Sequence, residues 1–355
     1  MRILVTAQWL LDETGSAYLV GLIGVVQLVV QVPVTLWAGT LADRVDRKRL
    51  MSFAHAATAM ALLTLGILNW QDMLTPVLVY TGIAITAATH MLASPARSAL
   101  LPIIIPEREL MLAASTDTAS SNAAAIAGPL IFAIVAVTAN LTAVFILAGS
   151  ISLISSLLPQ FIRAKGVAAG HEHEEGEKPS QIRQTRDGFS FVSKHPILPG
   201  LFLLDAGITT ASFYREILPV LALGLFAGGA SATGFLGAAN SAGAIFGSFI
   251  ALMLVGFRAK GMLVLYASFA YGFFLFGFGT ATTLWFGVLM IALLGAADAV
   301  TVAVRLTTVM LTTPDHMRGR SFALMILAAQ TANNVGTIWV GTWAGLIGAS
   351  NTMVM

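Results

Sequence analysis

Asp298 and His90 each stand seven residues before an arginine, Arg305 and Arg97, inside stretches that are otherwise almost entirely apolar. A carboxylate and an imidazole are groups whose protonation shifts readily with their surroundings, so both are candidates for proton exchange. Seven residues is close to two helical turns, which places each pair on one helix face. Asp205 is equally isolated, ten residues beyond His195 and so about 15 Å further along a helix. An ionisable group inside a membrane span costs at least about 2.5 kcal/mol, so each needs a partner or a water-filled cavity. Asp205 is therefore a candidate for binding a proton or a cationic substrate, or a structural hydrogen bond to a neighbouring helix. Asp298 either exchanges protons or pairs with Arg305, and His90 either exchanges protons or satisfies a backbone carbonyl.

Two further polar runs, "STDTASSN" and "QTANN", place Asp117, Asn122, Gln330, Asn333 and Asn334 inside apolar segments, where they contact substrate and water or hydrogen-bond between helices. Gln27 and Gln31, one turn apart, face the same choice. Arg215 and Glu216 are adjacent and point apart near the outer end of a span, as a gate or as interfacial residues. His55 and His90 lack an HExxH or GxSG context, and there is no cysteine. "HEHEEGE" offers metal-ligating types without fixed geometry. No catalytic, metal or cofactor site is expected, and the chain reads as a non-enzyme.

The elements that must hold these residues are set by composition. With 57% hydrophobic and 10% charged residues the chain is an all-α membrane protein, and its apolar runs are about 20 residues long, enough to cross a hydrocarbon core of about 30 Å. Full spans are expected near 17–38, 50–69, 75–97, 109–137, 141–162, 196–217, 232–255, 261–280, 283–305 and 320–348. The short apolar piece Ile3 to Leu11 reads as the second half of a first span.

Lys and Arg concentrate in alternate connections: Arg44 to Arg49, Arg97 to Arg108, Arg163 to Lys194, Arg258 and Lys260, and Arg305 to Arg320. The intervening connections, around "NWQDML", "TAN", "FAGGASAT" and "GTATT", have none. Only Arg2 and Arg215 escape the pattern. The positive-inside rule then puts the charged loops in the cytoplasm of a multi-pass plasma (inner) membrane protein. The net charge of +2 makes nucleic acid an unsuitable partner.

A shift of 208 residues aligns "SPARSALLPIIIPEREL" with "VAVRLTTVMLTTPDHMR", pairing Arg97 with Arg305, His90 with Asp298, Gly39 with Gly247 and Gly128 with Gly336. The repeat divides the chain into an N-terminal transmembrane half, 1–162, a cytoplasmic linker, 163–195, and a C-terminal half, 196–355, as expected for parallel six-helix repeats. About 11 of 12 spans are then present, the first truncated and the last missing.

The stretch "GTLADRVDRKRL", with a glycine, an aspartate four positions on and a basic run, resembles the loop signature of the major facilitator superfamily. "SPARSALLP", "AGPL", "GAADAV" and "PDHMRGR" resemble its branch of drug and siderophore exporters. The resemblance implies a major facilitator fold of two pseudo-symmetric helical halves. It implies a conformational latch at Gly39, Asp43, Arg47 and Arg49, engaging Arg97 and Arg305, and an exporter motif at Gly128 and Pro129. Asp46 stands where the family carries a later glycine. The expected activity is secondary transport, proton-coupled export of a small amphipathic molecule by a monomer in the lipid bilayer. The partners are that small-molecule substrate and a proton or other ion. An importer of the same fold, or a non-transporting remnant or partner subunit, are the alternatives. No phosphate-binding glycine loop follows a strand, so an ion gradient supplies the energy.

Overall fold

The computed structural model describes residues 1–162, 189–254, 256–257 and 259–355, and all regular structure among them is helical. The principal helices are α1 (Arg2–Thr14), α2 (Ala17–Arg44), α3 (Arg47–Trp70), α4 (Pro76–Ile104), α5 (Leu110–Thr138), α6 (Leu141–Leu157), α7 (Leu198–Ser212), α8 (Leu218–Phe226), α9 (Ala230–Met253), α10 (Lys260–Gly279), α11 (Leu284–Thr312), α12 (Asp315–Ile347) and α13 (Ala349–Val354). The 28 residues of α2 rise about 42 Å, more than the hydrocarbon thickness.

Helix ends follow local chemistry. Asn140 accepts from the Ala143 amide at 2.9 Å and Asp46 from the Lys48 amide at 2.9 Å, each satisfying an otherwise orphaned donor. Gly15 ends α1 in the left-handed region at φ 63°, where its amide reaches the Leu11 carbonyl at 2.8 Å.

Eight helices among the described residues are long and apolar enough to cross a membrane. Two of the ten spans expected from the sequence depart from that description. The span read as one helix over 196–217, the seventh when the truncated first is counted, is split into α7 and α8. The last, α12, is long enough but carries the polar run Gln330 to Asn334.

Helices α2, α3, α4 and α6 pack on one another, as do α9, α10 and α11, with α7 against α12. Within the second group, a methyl group on Gly243 or Gly247 of α9 would run into the Ala292 or Ala296 carbonyl of α11, so those backbones touch. The small-residue run "GAANSAGAIFG" is what allows this close approach. Two seams join the groups, α2 to α12 and α5 to α9. At the first, Gly21 lies on Gly341 and Gly24 on the Asn334 carbonyl. At the second, Gly234 lies on Ala133 and Gly237 on Pro129.

The apolar core is distributed unevenly along the helices. One cluster runs through Leu10, Phe132, Phe145, Leu221, Leu236, Phe278, Ile291 and Val340, drawing on both groups at the end where the connections lack Lys and Arg. Toward the end with the charged connections the described residues form three separate clusters, around Val264 and Val304, around Leu198 and Met325, and around Leu50 and Ala96. Each stays within one group. Among the described residues, then, one end is sealed by a shared core and the other is divided.

Candidate functional site

Pro219 explains why the seventh span breaks. It lacks an amide hydrogen, and its ring would clash with the Arg215 carbonyl four residues back in a continuous helix. The chain opens over Phe213 to Ile217 and restarts with Pro219 in the first turn of α8, where proline is tolerated. Arg215 and Glu216 therefore sit at a break deep in the protein. The expectation that they lie near an outer helix end is corrected: nine more helical residues follow them.

The break faces a cavity of about 840 Å³ between α1, α5, α9 and α11. Its walls run from Gly237 to Ser248 on α9 and from Asp298 to Leu306 on α11, away from the sealed end. Arg215 Nη2 lies 3.0 Å from Asp298 Oδ2, with both side chains partly exposed to this space. The second pair joins Arg305 to Asp205, and it is the drier one, Arg305 being 7% exposed and Asp205 19%. Together these residues and Tyr271 surround a polar chamber of about 150 Å³.

The alternative that Asp298 pairs with Arg305 is thus overturned. Seven residues separate them by about 10.5 Å along the axis, beyond the reach of a short aspartate. Each finds its partner on the seventh span instead, Arg215 at the break and Asp205 on α7.

Glu216 is buried and accepts a hydrogen bond from Thr337 Oγ1 of α12 at 3.0 Å. Gln27 of α2 and Arg2 of α1 stand around the same small chamber as this carboxylate. Arg2 Nη1 donates to the Thr86 carbonyl at 3.3 Å. The chamber, of about 160 Å³, is lined also by Gln31, His90, Gln330, Asn333 and Asn334. Asn334 Nδ2 donates to Gln31 Oε1 across the α2–α12 seam at 3.0 Å. Such a polar space has the volume and the partners to hold a few waters.

A family model for the Major Facilitator Superfamily matches residues 2–337. The chain belongs to the major facilitator superfamily. It is 26% identical over 332 residues to the enterobactin exporter EntS of Escherichia coli O81, covering 92% of this chain and 74% of that one, and equally to the protein of that name in Shigella boydii serotype 18. Among solved structures it resembles the nucleoside transporter NupG (D323A mutant; TM-score 0.76, 13% identity, 99% of this chain and 94% of that one). The xylose transporter XylE from E. coli, in an inward open conformation, gives a TM-score of 0.68 at 13% identity, over 99% of this chain and 90% of that one. These likenesses establish the major facilitator fold. The superfamily is one of multi-pass membrane transporters, not of enzymes.

On this major facilitator scaffold the expected residues divide. Asp298 and Asn122 line the large cavity, as do Gly128 and Pro129. His90, Gln330 and Asn334 line the chamber beside Glu216, and Asp205 the chamber beside Arg305. Asp117 is paired with Arg97, both substantially exposed, so neither is held in the cavity. Of the expected latch residues, Arg47 begins α3 and Arg49 is exposed, while the side chains of Gly39 and Asp43 lie outside the described residues. So does most of the expected linker, over 163–188, with its "HEHEEGE" tract.

Sequence reasoning undervalued Arg2, Arg215, Glu216 and Thr337. A signal was available for two of them: Arg2 and Arg215 are the cations that break the alternate-connection pattern. A cation that does not mark topology is held for another purpose.

Proposed function

We propose that this chain exports a small amphipathic molecule across the plasma (inner) membrane in exchange for protons, by alternating access. In this reading 1–162 and 196–355 are the two halves of a monomer, joined through 163–195, and the charged loops are cytoplasmic. The observation that carries it is the division of the core. A cavity of mixed apolar and polar walls is roofed at one end by a core common to both halves, while among the described residues the other end has cores private to each. That is the arrangement of a carrier open to one side and able to rock about its centre. With the charged loops inside, the state seen is open to the cytoplasm, where an exporter collects its cargo.

Export is favoured over uptake by the likeness to the enterobactin exporter, which extends over most of both chains. The wall chemistry suits an amphipathic cargo, since Ala124, Ala125, Ile245 and Val302 alternate with Asn122, Ser241 and the Arg215–Asp298 pair. The 355-residue chain, reconstituted in liposomes with an imposed pH gradient, is expected to move lipophilic dyes or catecholate siderophores against the proton flow. Movement with the proton flow would make it an importer, and no gradient-dependent movement of any probe would remove the transport reading.

A further inference from the structure

We propose that Glu216 is the carboxylate that binds the exchanged proton, and that without that proton it locks the empty carrier in the state seen here. The inference rests on the antiport reading above and assigns its coupling site.

The placement of Glu216 differs from that of the other acidic groups in the centre. Asp205 and Asp298 are each neutralised by an arginine from the same C-terminal group of helices, Arg305 and Arg215. Those pairs move as one body when the groups rock. Glu216 instead belongs to the break before α8 and stands between both groups: bonded to Thr337 of α12 on its own side, and sharing a chamber with Gln27 of α2 and Arg2 of α1 on the other. Its partner Thr337 is itself part of the α2–α12 seam, lying against Gly24. Rocking that parts this seam must take Glu216 away from Gln27 and Arg2.

An ionised carboxylate separated from its donors and its counter-charge in this setting is strongly disfavoured, so the unprotonated, empty carrier stays closed at the sealed end. A proton added to a Glu216 carboxyl oxygen removes the charge, and the seam parts without stranding it. A bound substrate that offers the carboxylate a donor or cation, or offers Arg2 an acceptor, achieves the same release. Either passenger unlocks the carrier, and an empty one cannot cycle, which is the requirement for obligatory exchange. The chamber beside Glu216 and the large cavity both border this residue, so water reaches it from the open side.

The groups facing Glu216 limit the alternatives. Arg2 is the nearby cation on α1 and His90 the titratable group lining the chamber from α4. On α2 and α12 its facing partners, Gln27, Gln31, Asn333 and Thr337, are neutral, and its neighbour Arg215 is turned to Asp298. His90 is therefore the competitor that the experiment must separate.

Two measurements on the reconstituted full chain test the assignment. In proteoliposomes, Glu216→Gln is expected to lose pH-gradient-driven movement at least tenfold while keeping substrate-for-substrate exchange. Retention of gradient-driven movement overturns the proposal. Independently of any substrate, the protection factors of the α2 amides over residues 17–31, that is, exchange corrected for its intrinsic pH dependence, are expected to fall in the wild type from pH 8 to pH 5, and to be low and pH-insensitive in Glu216→Gln. Persistence of that pH response in Glu216→Gln with its loss in His90→Gln transfers the role to the imidazole. A wild type that moves no probe but shows the exchange response loses the transport reading and keeps the lock. Should Glu216→Gln not fold, Thr337→Val keeps the carboxylate, and an unaltered pH midpoint of α2 exchange in it overturns the proposal.

Discussion

The repeat places His90 with Arg97 on α4 and Asp298 with Arg305 on α11 at equivalent positions, yet the two pairs live in different chemistry. On α11 both members are drawn inward to partners on the seventh span, Arg215 and Asp205, with Arg305 almost fully buried. On α4 the arginine turns to Asp117 in an exposed pair, and the histidine borders a recess it shares with His55. The positions correspond, while the ion pairs of the centre gather in the second group of helices. An internal repeat therefore locates candidate residues, and only their partners show what each does.

The contrast should break most visibly at Arg305. Arg305→Met leaves Asp205 ionised without its counter-charge, and the expected loss is about 3–5 kcal/mol of stability, read as a lowered melting temperature in detergent. Asp205→Asn combined with Arg305→Met should recover most of it. A single variant as stable as the wild type would show that the buried pair is dispensable.

Next in size is a change at the α2–α12 seam. Gly24→Leu drives a side chain into the Asn334 carbonyl and Thr337, at a cost of about 1–3 kcal/mol to the closed end. Gly207→Leu on α7 meets open space and should be nearly silent. Cysteine accessibility from the sealed end should rise in the first and not in the second.

Asp298→Asn removes a charge from a pair already bathed by the cavity, so stability should change little and, with the proton carried on Glu216, the pH dependence of transport should be kept while its rate falls by no more than about tenfold, or 1.4 kcal/mol. A lost pH dependence would move the coupling role to Asp298. The smallest effect belongs to Arg97→Gln, whose exposed pair with Asp117 is worth less than about 1 kcal/mol. A drop beyond that in thermal stability would show that α4 carries ionic weight comparable to α11.

The spans were legible because membrane solvent imposes length and apolarity on each segment separately. Thus α3, α9 and α10 lie close to their expected bounds, while α11 continues beyond its expected end, to Thr312. The break in the seventh span was not, because Arg215 and Glu216 look like a helix end when read locally. Their tolerance inside the protein comes from Asp298, Thr337 and Arg2, which are 83, 121 and 214 residues away. Pro219 was a local clue, since a proline after a charged pair marks a restart as readily as a stop. Cavity candidates such as Asp298, His90 and Asn334 were legible as polar groups in apolar runs. Their pairing was not, because it depends on which helices become neighbours.

The seam at Gly21 and Gly341 has one more consequence. Where two backbones meet with no side chains between them, nothing interdigitates, and separating them requires no rotamer changes and breaks no hydrogen bond at that point. Friction there is low. On the proposed rocking, how fast the two bodies swing apart is then governed by the polar groups that face each other across the bare contact, Asn334 bonded to Gln31 and Glu216 opposite Arg2, which lets a single ionisable group set the tempo of a motion involving hundreds of residues.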